Sequence, residues 1–99
     1  MIAFVYMLRC RGGSYYVGRT QGSLELRIAQ HNAGTFAGYT FTRRPVSLVW
    51  SQEFAVITDA NAAERQIKGW RREKKEALIA GDFALLQELS RRKKTRPPQ

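Results

Sequence analysis

The chain has 99 residues, enough for one domain with a single modest hydrophobic core. With 17 Lys and Arg against 8 Asp and Glu, its net charge is +9, which favours a polyanionic partner, most commonly nucleic acid. One cysteine excludes an internal disulfide and a cysteine-built zinc site, and the longest apolar run, residues 2–8, is too short to span a bilayer. We therefore expect a cytoplasmic protein without a membrane segment.

The first half of the chain predicts a hairpin, a helix and a third strand. Residues 2–9 are rich in β-branched and aromatic side chains, and a Gly-Gly turn separates them from a partner strand at residues 15–19. Ser23 is a suitable N-cap and Gly34 a suitable C-terminal stop for the first helix. After a loop, residues 46–54 alternate as a strand.

In the second half of the chain, apolar residues recur at intervals typical of helices. A second helix begins at a cap on Thr58 or Asp59, and Gly69 predicts a kink or break before the helix continues to Gly81. A short last helix follows.

The resulting order is β-β-α-β-α-α, which predicts an α+β domain with a small three-stranded antiparallel sheet flanked by helices. We place this domain at residues 1–90 and expect residues 91–99 to form a basic, disordered tail.

Carboxylates are scarce in the first 72 residues of the chain. A two-metal nuclease needs several of them to hold ions about 4 Å apart. The residues before position 73 contain four scattered acids: Glu25, Glu53, Asp59 and Glu64. A phosphodiester hydrolase built on this chain must therefore use few carboxylates and depend on cationic side chains.

Two tyrosines, an Arg-His pair and a later Glu form a possible constellation. Tyr6 and Tyr16 lie on the two hairpin strands, and the i, i+4 spacing of Arg27 and His31 puts them on one face of the first helix. Taken singly, each has an ordinary structural reading as a strand aromatic or a solvated helix residue. Glu64, for example, can simply pair with a Lys four residues later.

The ordered motifs resemble the GIY-YIG nucleases, in particular their small bacterial single-domain, UPF0213-like branch. FVY at residues 4–6 and YVG at residues 16–18 correspond to the two halves of the name motif. The segments at residues 24–34, 38–40 and 62–79 extend the likeness, which covers about residues 3–81. Phe4 and Val17 depart from the name motif. Because backbone pairing and packing matter most at these two positions, we expect activity to be retained.

The resemblance implies hydrolysis of a phosphodiester with one divalent metal, Mg²⁺ or Mn²⁺. Glu64 would be the sole protein ligand of this hard cation. Arg27 would neutralise the extra charge on the pentacovalent phosphate. Tyr6 would be the general base, and its ordinary pKa of about 10 would have to be lowered by Arg27, Arg19 or the metal.

The remaining roles also follow from the resemblance. Tyr16 would position water or phosphate, and His31 would hydrogen-bond Tyr6 or act on the leaving side. Gly18 would allow close approach of the backbone to substrate or helix. The residues implied in substrate binding are Gly18, Arg19, Tyr39 and Lys68.

The implied function is a metal-dependent endonuclease acting on DNA. A short chain leaves little room to wrap a duplex, so we favour single-stranded or structured DNA. The alternative is a basic nucleic-acid-binding module that keeps the fold without cleaving, and a third option is RNA processing or ribosome association.

Overall fold

A computed structural model describes residues 2–94, except for the side chains of residues 92–94. The chain divides into two compact units, residues 1–69 and residues 70–99. The first unit contains a three-stranded antiparallel sheet and two α-helices, and the second contains two further helices. The predicted α+β class with a three-stranded antiparallel sheet is thereby confirmed.

The sheet has the strand order β2-β1-β3, with β1 at Ala3–Cys10, β2 at Tyr15–Thr20 and β3 at Val46–Phe54. Because β1 is the central strand, its residues are almost all buried, as an apolar run with β-branched and aromatic side chains requires. The β1–β2 register pairs Tyr6 with Gly18 and Leu8 with Tyr16. Alternation then puts these four residues on one face of the sheet.

Helix α1 covers that face and spans Leu24–Ala33, as the caps predict. The Ser23 hydroxyl accepts a hydrogen bond from the Leu26 amide at 3.2 Å, and Gly34 ends the helix in the left-handed conformation at φ 79°. Leu24 and Ile28 on α1 pack against the buried core formed by Tyr6, Leu8, Cys10 and Val46.

Asn32 ties α1 to the first residue of β3. Its carboxamide oxygen accepts a hydrogen bond from the Val46 amide at 2.7 Å, and its nitrogen donates to the Val46 carbonyl at 3.0 Å. The Asn32 carboxamide therefore pairs with the Val46 N–H and C=O as the backbone of a neighbouring strand would. The segment between the two anchors contains a short 3-10 helix at Phe41–Arg43.

Helix α2 spans Ile57–Lys68 and begins earlier than the predicted caps at Thr58 or Asp59. Its N-cap is Val56, whose side chain makes no capping hydrogen bond. The Gly69 amide donates to the carbonyls of Gln66 and Ile67, and Arg71 is extended, so the chain leaves the helix completely at Gly69. The predicted continuing helix is therefore two helices.

Helices α3, at Arg72–Ala80, and α4, at Phe83–Lys94, belong to the second unit. The order is thus β-β-α-β-α-α-α, with one helix more than predicted. Helix α4 runs four residues into the predicted tail, and residues 95–99 lie outside the described residues, so the domain limits stay a prediction. Within residues 2–94, no helix combines the length and hydropathy needed to cross a membrane.

Replacing Asn32 by Ala removes both hydrogen bonds to Val46 and leaves two backbone groups of a buried residue without partners. We expect the free energy of unfolding to fall by about 1–3 kcal/mol, measured by urea denaturation. Gln66→Ala, at an exposed position of α2, is the matched control and should change it by less than about 0.5 kcal/mol. Equal stability of the two variants would contradict the anchoring role.

Candidate active site

The site starts from the close approach of Tyr6 to Gly18. A Cβ atom at Gly18 would lie 2.6 Å from both Cζ and Oη of Tyr6 and 3.0 Å from Cε2 of Tyr16. The close approach predicted at Gly18 is thus present, and the group that approaches is the Tyr6 phenol. Gly18 is needed because its missing side chain lets this phenol lie across β2.

The Tyr6 phenol reaches His31 at the end of α1. Its Oη lies 2.8 Å from His31 Nε2, and His31 Nδ1 lies 2.9 Å from the Thr40 hydroxyl oxygen. The exposed fractions of Tyr6, His31 and Thr40 are 1%, 3% and 2%. Tyr6, His31 and Thr40 therefore form one buried series of hydrogen bonds that joins β1, α1 and the segment before β3.

Tyr16 lies between this buried series of hydrogen bonds and the surface. Its ring centroid is 5.3 Å from that of His31 and 6.4 Å from that of Tyr6. On the other side it stacks on Tyr39 with centroids 6.1 Å apart and ring planes 24° apart. Tyr39 is 41% exposed, and the Arg43 guanidinium lies 3.9 Å from its ring centroid. The structure thus brings the predicted catalytic Tyr16 and substrate-binding Tyr39 together.

Arg27 lies one turn before His31 on α1, and its guanidinium is 4.8 Å from the centroid of Phe36. The Phe36 ring in turn lies 4.9 Å from that of His31. Burial, aided by the positive charge of Arg27, lowers the pKa of His31 below its ordinary range. His31 is therefore a neutral imidazole near neutral pH.

The side chains around Tyr6 do not give it the lowered pKa that a base role would need. Burial is the largest effect and raises the pKa of the phenol well above its ordinary value; Tyr16 raises it further. The Arg27 charge acts in the opposite direction but is outweighed, and Glu64 adds a smaller increase. Tyr6 is therefore a neutral phenol paired with a neutral imidazole.

Glu64 on α2 is held by two cations. Its Oε1 lies 3.4 Å from Arg19 Nε, and its Oε2 lies 3.3 Å from Lys68 Nζ, one turn along the helix. These residues and Asn61 line an open cleft of about 340 Å³. The predicted Glu64, Arg19 and Lys68 are thus neighbours.

Asn61, which also lines this cleft, carries an oxygen atom of a type suited to a cation. The side-chain oxygen of Asn61 is buried and has no hydrogen-bond partner among the described residues, and Asn61 precedes Glu64 by three residues on α2. Carboxylate and carboxamide oxygens are ligands that hard divalent cations accept. Within residues 2–94, no cluster of three or more His, Cys, Asp or Glu side chains offers another metal site. The residues present fit a metal held by one carboxylate.

Thr40, Asn61 and Phe36 are the site residues that sequence reasoning missed. Thr40 is the last residue of the segment at positions 38–40, whose resemblance to the nuclease branch drew attention to its neighbour Tyr39. Asn61 had one usable signal, its helical spacing from Glu64. The contact of Phe36 with Arg27 and His31 depends on how the segment after α1 folds back, which no local pattern specifies.

Residues 2–77 match the profile described as the GIY-YIG catalytic domain. The chain belongs to the GIY-YIG family. GIY-YIG proteins are nucleases that act on nucleic acid and generally use divalent metals. The match includes every predicted site residue of this chain.

Several GIY-YIG relatives cover most of the chain. A UPF0213 protein of Streptococcus pneumoniae is 42% identical over 78 residues, which are 79% of this chain and 78% of the relative. UPF0213 protein SH2523 of Staphylococcus haemolyticus is 43% identical over 76 residues, 77% of this chain and 92% of the relative.

Two solution NMR structures have the same fold. UPF0213 protein BH0048 of Bacillus halodurans superposes with a TM-score of 0.54 at 38% identity, covering 81% of this chain and 84% of that one. Protein EF2693 of E. faecalis gives a TM-score of 0.58 at 31% identity, covering 85% and 88%.

Gly18→Ala should push the Tyr6 phenol away from its position, because the added methyl group would lie 2.6 Å from it. We expect a loss of about 1–3 kcal/mol in the free energy of unfolding from overpacking, measured by chemical denaturation. Gly22→Ala is the matched control, since a Cβ there meets nothing within 4 Å and Gly22 is outside the left-handed region. If both variants were equally stable, the close approach would not be a constraint.

Acid should destabilise the fold through His31. Its pKa is lowered in the folded state, so just below its unfolded pKa of about 6.5 the unfolded chain binds more protons than the folded one. The free energy of unfolding should therefore fall as the pH decreases through this range. His31 is the only histidine, so His31→Gln should flatten this dependence in urea denaturation between about pH 7.5 and pH 5. Parallel pH profiles for the two proteins would contradict this.

Proposed function

We propose that this chain is a metal-dependent endonuclease that hydrolyses DNA phosphodiester bonds in single-stranded or structured DNA. The observation that carries the proposal is the buried 2.8 Å hydrogen bond between Tyr6 Oη and His31 Nε2, beside Arg27. Buried titratable side chains with shifted pKa values, beside a cation, are typical of catalytic sites.

The raised pKa of Tyr6 determines how it would act as a base. A free phenolate is strongly disfavoured in this environment, so Tyr6 would not be deprotonated in advance. Instead, Tyr6 would take a proton from the attacking water as its own proton passes to His31 Nε2. The lowered pKa of His31 keeps the imidazole neutral and able to receive that proton.

The protons gained and lost in this step would then be exchanged with solvent. The oxygen of the attacking water forms the new bond to phosphorus while the bond to the leaving oxygen breaks. The leaving oxygen takes a proton from solvent, and His31 releases the proton that it received. The only net change is the addition of water across the phosphodiester.

Arg27 would bind the phosphate oxygens on which negative charge develops, and its planar guanidinium suits that geometry. Glu64 would hold the divalent metal, Mg²⁺ or Mn²⁺, with Asn61 offering a second oxygen from the same helix face. Such an ion, when bound, would stabilise negative charge at the phosphate. Arg19 and Lys68, the present partners of Glu64, would then be available to contact phosphate oxygens.

An exposed aromatic surface supports the choice of DNA with unpaired bases. Tyr39 stacks on Tyr16 at the edge of the site, and Phe41, 44% exposed, is contacted by the Arg44 guanidinium. Aromatic and guanidinium planes bind the faces of bases, which are accessible only where bases are unpaired or unstacked. The basic charge of the chain would attract the phosphate backbone.

A second candidate is a nucleic-acid-binding module that has the fold but does not cleave. The ion pairs of Glu64 with Arg19 and Lys68 favour it, because they give this carboxylate partners without a metal. Both candidates predict DNA binding, so cleavage is the property that separates them.

The test is a cleavage assay on single-stranded, duplex and branched DNA and on RNA, with Mg²⁺, Mn²⁺ or EDTA. We expect metal-dependent cutting of DNA with unpaired regions. Arg27→Ala and Glu64→Ala should each lower the rate by at least about 10²-fold while the fold and DNA binding persist. Arg9→Ala, at an exposed position of β1, is the charge-matched control for Arg27.

Two results would count against the proposal. Full Mg²⁺-dependent cleavage by Arg27→Ala would overturn the assignment of the site. DNA binding by the unaltered protein without cleavage of any substrate would favour the binding module.

A further inference from the structure

We propose that Thr40 is a positioning residue that fixes His31 as the tautomer protonated at Nδ1, leaving Nε2 free to receive the proton of Tyr6. This inference deepens the proposed function and rests on it for its catalytic consequence. Its structural content, the tautomer of His31, rests on the two contacts of the imidazole and on the relative acidity of the two hydroxyl groups.

The Thr40 hydroxyl contacts Nδ1 of the His31 imidazole. Its oxygen lies 2.9 Å from His31 Nδ1, and Thr40 is 2% exposed while its neighbours Tyr39 and Phe41 are both exposed. Within the described part of the chain, the Thr40 hydroxyl hydrogen-bonds to His31. The chain therefore turns Thr40 inward, toward the imidazole, between two outward-facing aromatic residues.

A neutral imidazole between two hydroxyl groups can be arranged in two ways. If Nδ1 carries the proton, it donates to Thr40 and Nε2 accepts the Tyr6 O–H. If Nε2 carries the proton, it donates to the Tyr6 oxygen and Nδ1 accepts the Thr40 O–H. Each arrangement makes two hydrogen bonds and leaves one hydroxyl proton without a partner in this chain.

The acidity of the two hydroxyl groups decides between the arrangements. A phenol is a more acidic donor than an aliphatic alcohol, so pairing the Tyr6 O–H with the imidazole lone pair gives the stronger hydrogen bond. The Thr40 oxygen then serves as the acceptor for Nδ1–H. Which nitrogen of a histidine is protonated is set by the bond that the other nitrogen makes, so both contacts favour one tautomer.

The groups around the pair do not compete for these contacts. The charged and titratable groups that act on Tyr6 and His31 are Tyr16 from β2, Arg27 from α1 and Glu64 from α2. Neither Tyr16 nor Arg27 has a hydrogen bond to the imidazole. The tautomer is thus determined by Tyr6 and Thr40.

Removing the Thr40 hydroxyl should weaken the preference for the Nδ1-protonated tautomer. In Thr40→Val, a close steric match, Nδ1–H would be buried without an acceptor, whereas Nε2–H would still have the Tyr6 oxygen. The share of imidazole protonated at Nε2 should therefore rise, and in that share Tyr6 has no proton acceptor. Thr40→Ser keeps the hydroxyl and should behave as the unaltered protein does.

The experiment is nitrogen NMR on protein labelled with ¹⁵N-histidine. Because the sequence has one histidine, the spectrum reports a single imidazole. We expect a protonated Nδ1 and an unprotonated Nε2 in the unaltered protein and in Thr40→Ser. Thr42→Val, at an exposed position on the neighbouring 3-10 helix, is the control for Thr40→Val and should give the same result. In Thr40→Val we expect part of the signal to shift to the form protonated at Nε2.

Cleavage kinetics supply the second readout. Thr40→Val should lower kcat in proportion to the share of molecules protonated at Nε2, with an unchanged KM, and Thr40→Ser should restore kcat. A packing defect alone would affect Thr40→Ser as well and would leave the tautomer in place.

Each outcome tests a separate statement. A protonated Nε2 in the unaltered protein would overturn the inference even if Thr40→Val failed to fold. An unchanged tautomer or an unchanged kcat in Thr40→Val would overturn it too. If the unaltered protein cut no substrate but showed the Nδ1–H tautomer, and Thr40→Val shifted it toward Nε2–H, the proposed function would fail while the positioning of His31 by Thr40 would stand.

Discussion

The pairing of Tyr6 with Gly18 across β1 and β2 is the constraint on which the rest of the site depends. With no side chain at position 18, the phenol can lie flat across the neighbouring strand and reach α1. The reach fixes where the end of α1 must lie, because His31 has to meet the phenol at hydrogen-bond distance. The bonds from Asn32 to Val46 hold the same turn of the helix against β3.

Burial then gives the two titratable side chains opposite tendencies. Removal from water disfavours the charged form of each, which raises the pKa of the phenol and lowers that of the imidazole. The pair is consequently neutral over a wide pH range, and charge appears only if a proton moves along the chain. A single physical cause thus makes Tyr6 a poor free base and keeps His31 uncharged.

Local patterns in the sequence were enough to predict the hairpin, β3 and both ends of α1. Strand alternation and caps such as Ser23 depend only on residues that are close together in the sequence. Local spacing also put Arg27 and His31 on one face of the first helix and Tyr6 and Tyr16 on the two strands of the hairpin. These local patterns failed where an outcome depends on distant contacts. The start of α2 has no side-chain cap to signal it, and the direction of the Tyr6 pKa depends on burial that no spacing reveals. Thr40 and Asn61 acquire their surroundings only once the chain has folded.

The anchoring of both ends of the segment between α1 and β3 has a consequence for how this family can diversify. Asn32 and Val46 hold its ends, and Thr40 attaches its middle to the interior, so Tyr39 and Phe41 are exposed on a segment that is held at three points. We expect exchange of the exposed side chains to disturb these three anchors little. Such a segment suits the grafting of new recognition surfaces, in the way that variable loops are carried by a constant scaffold.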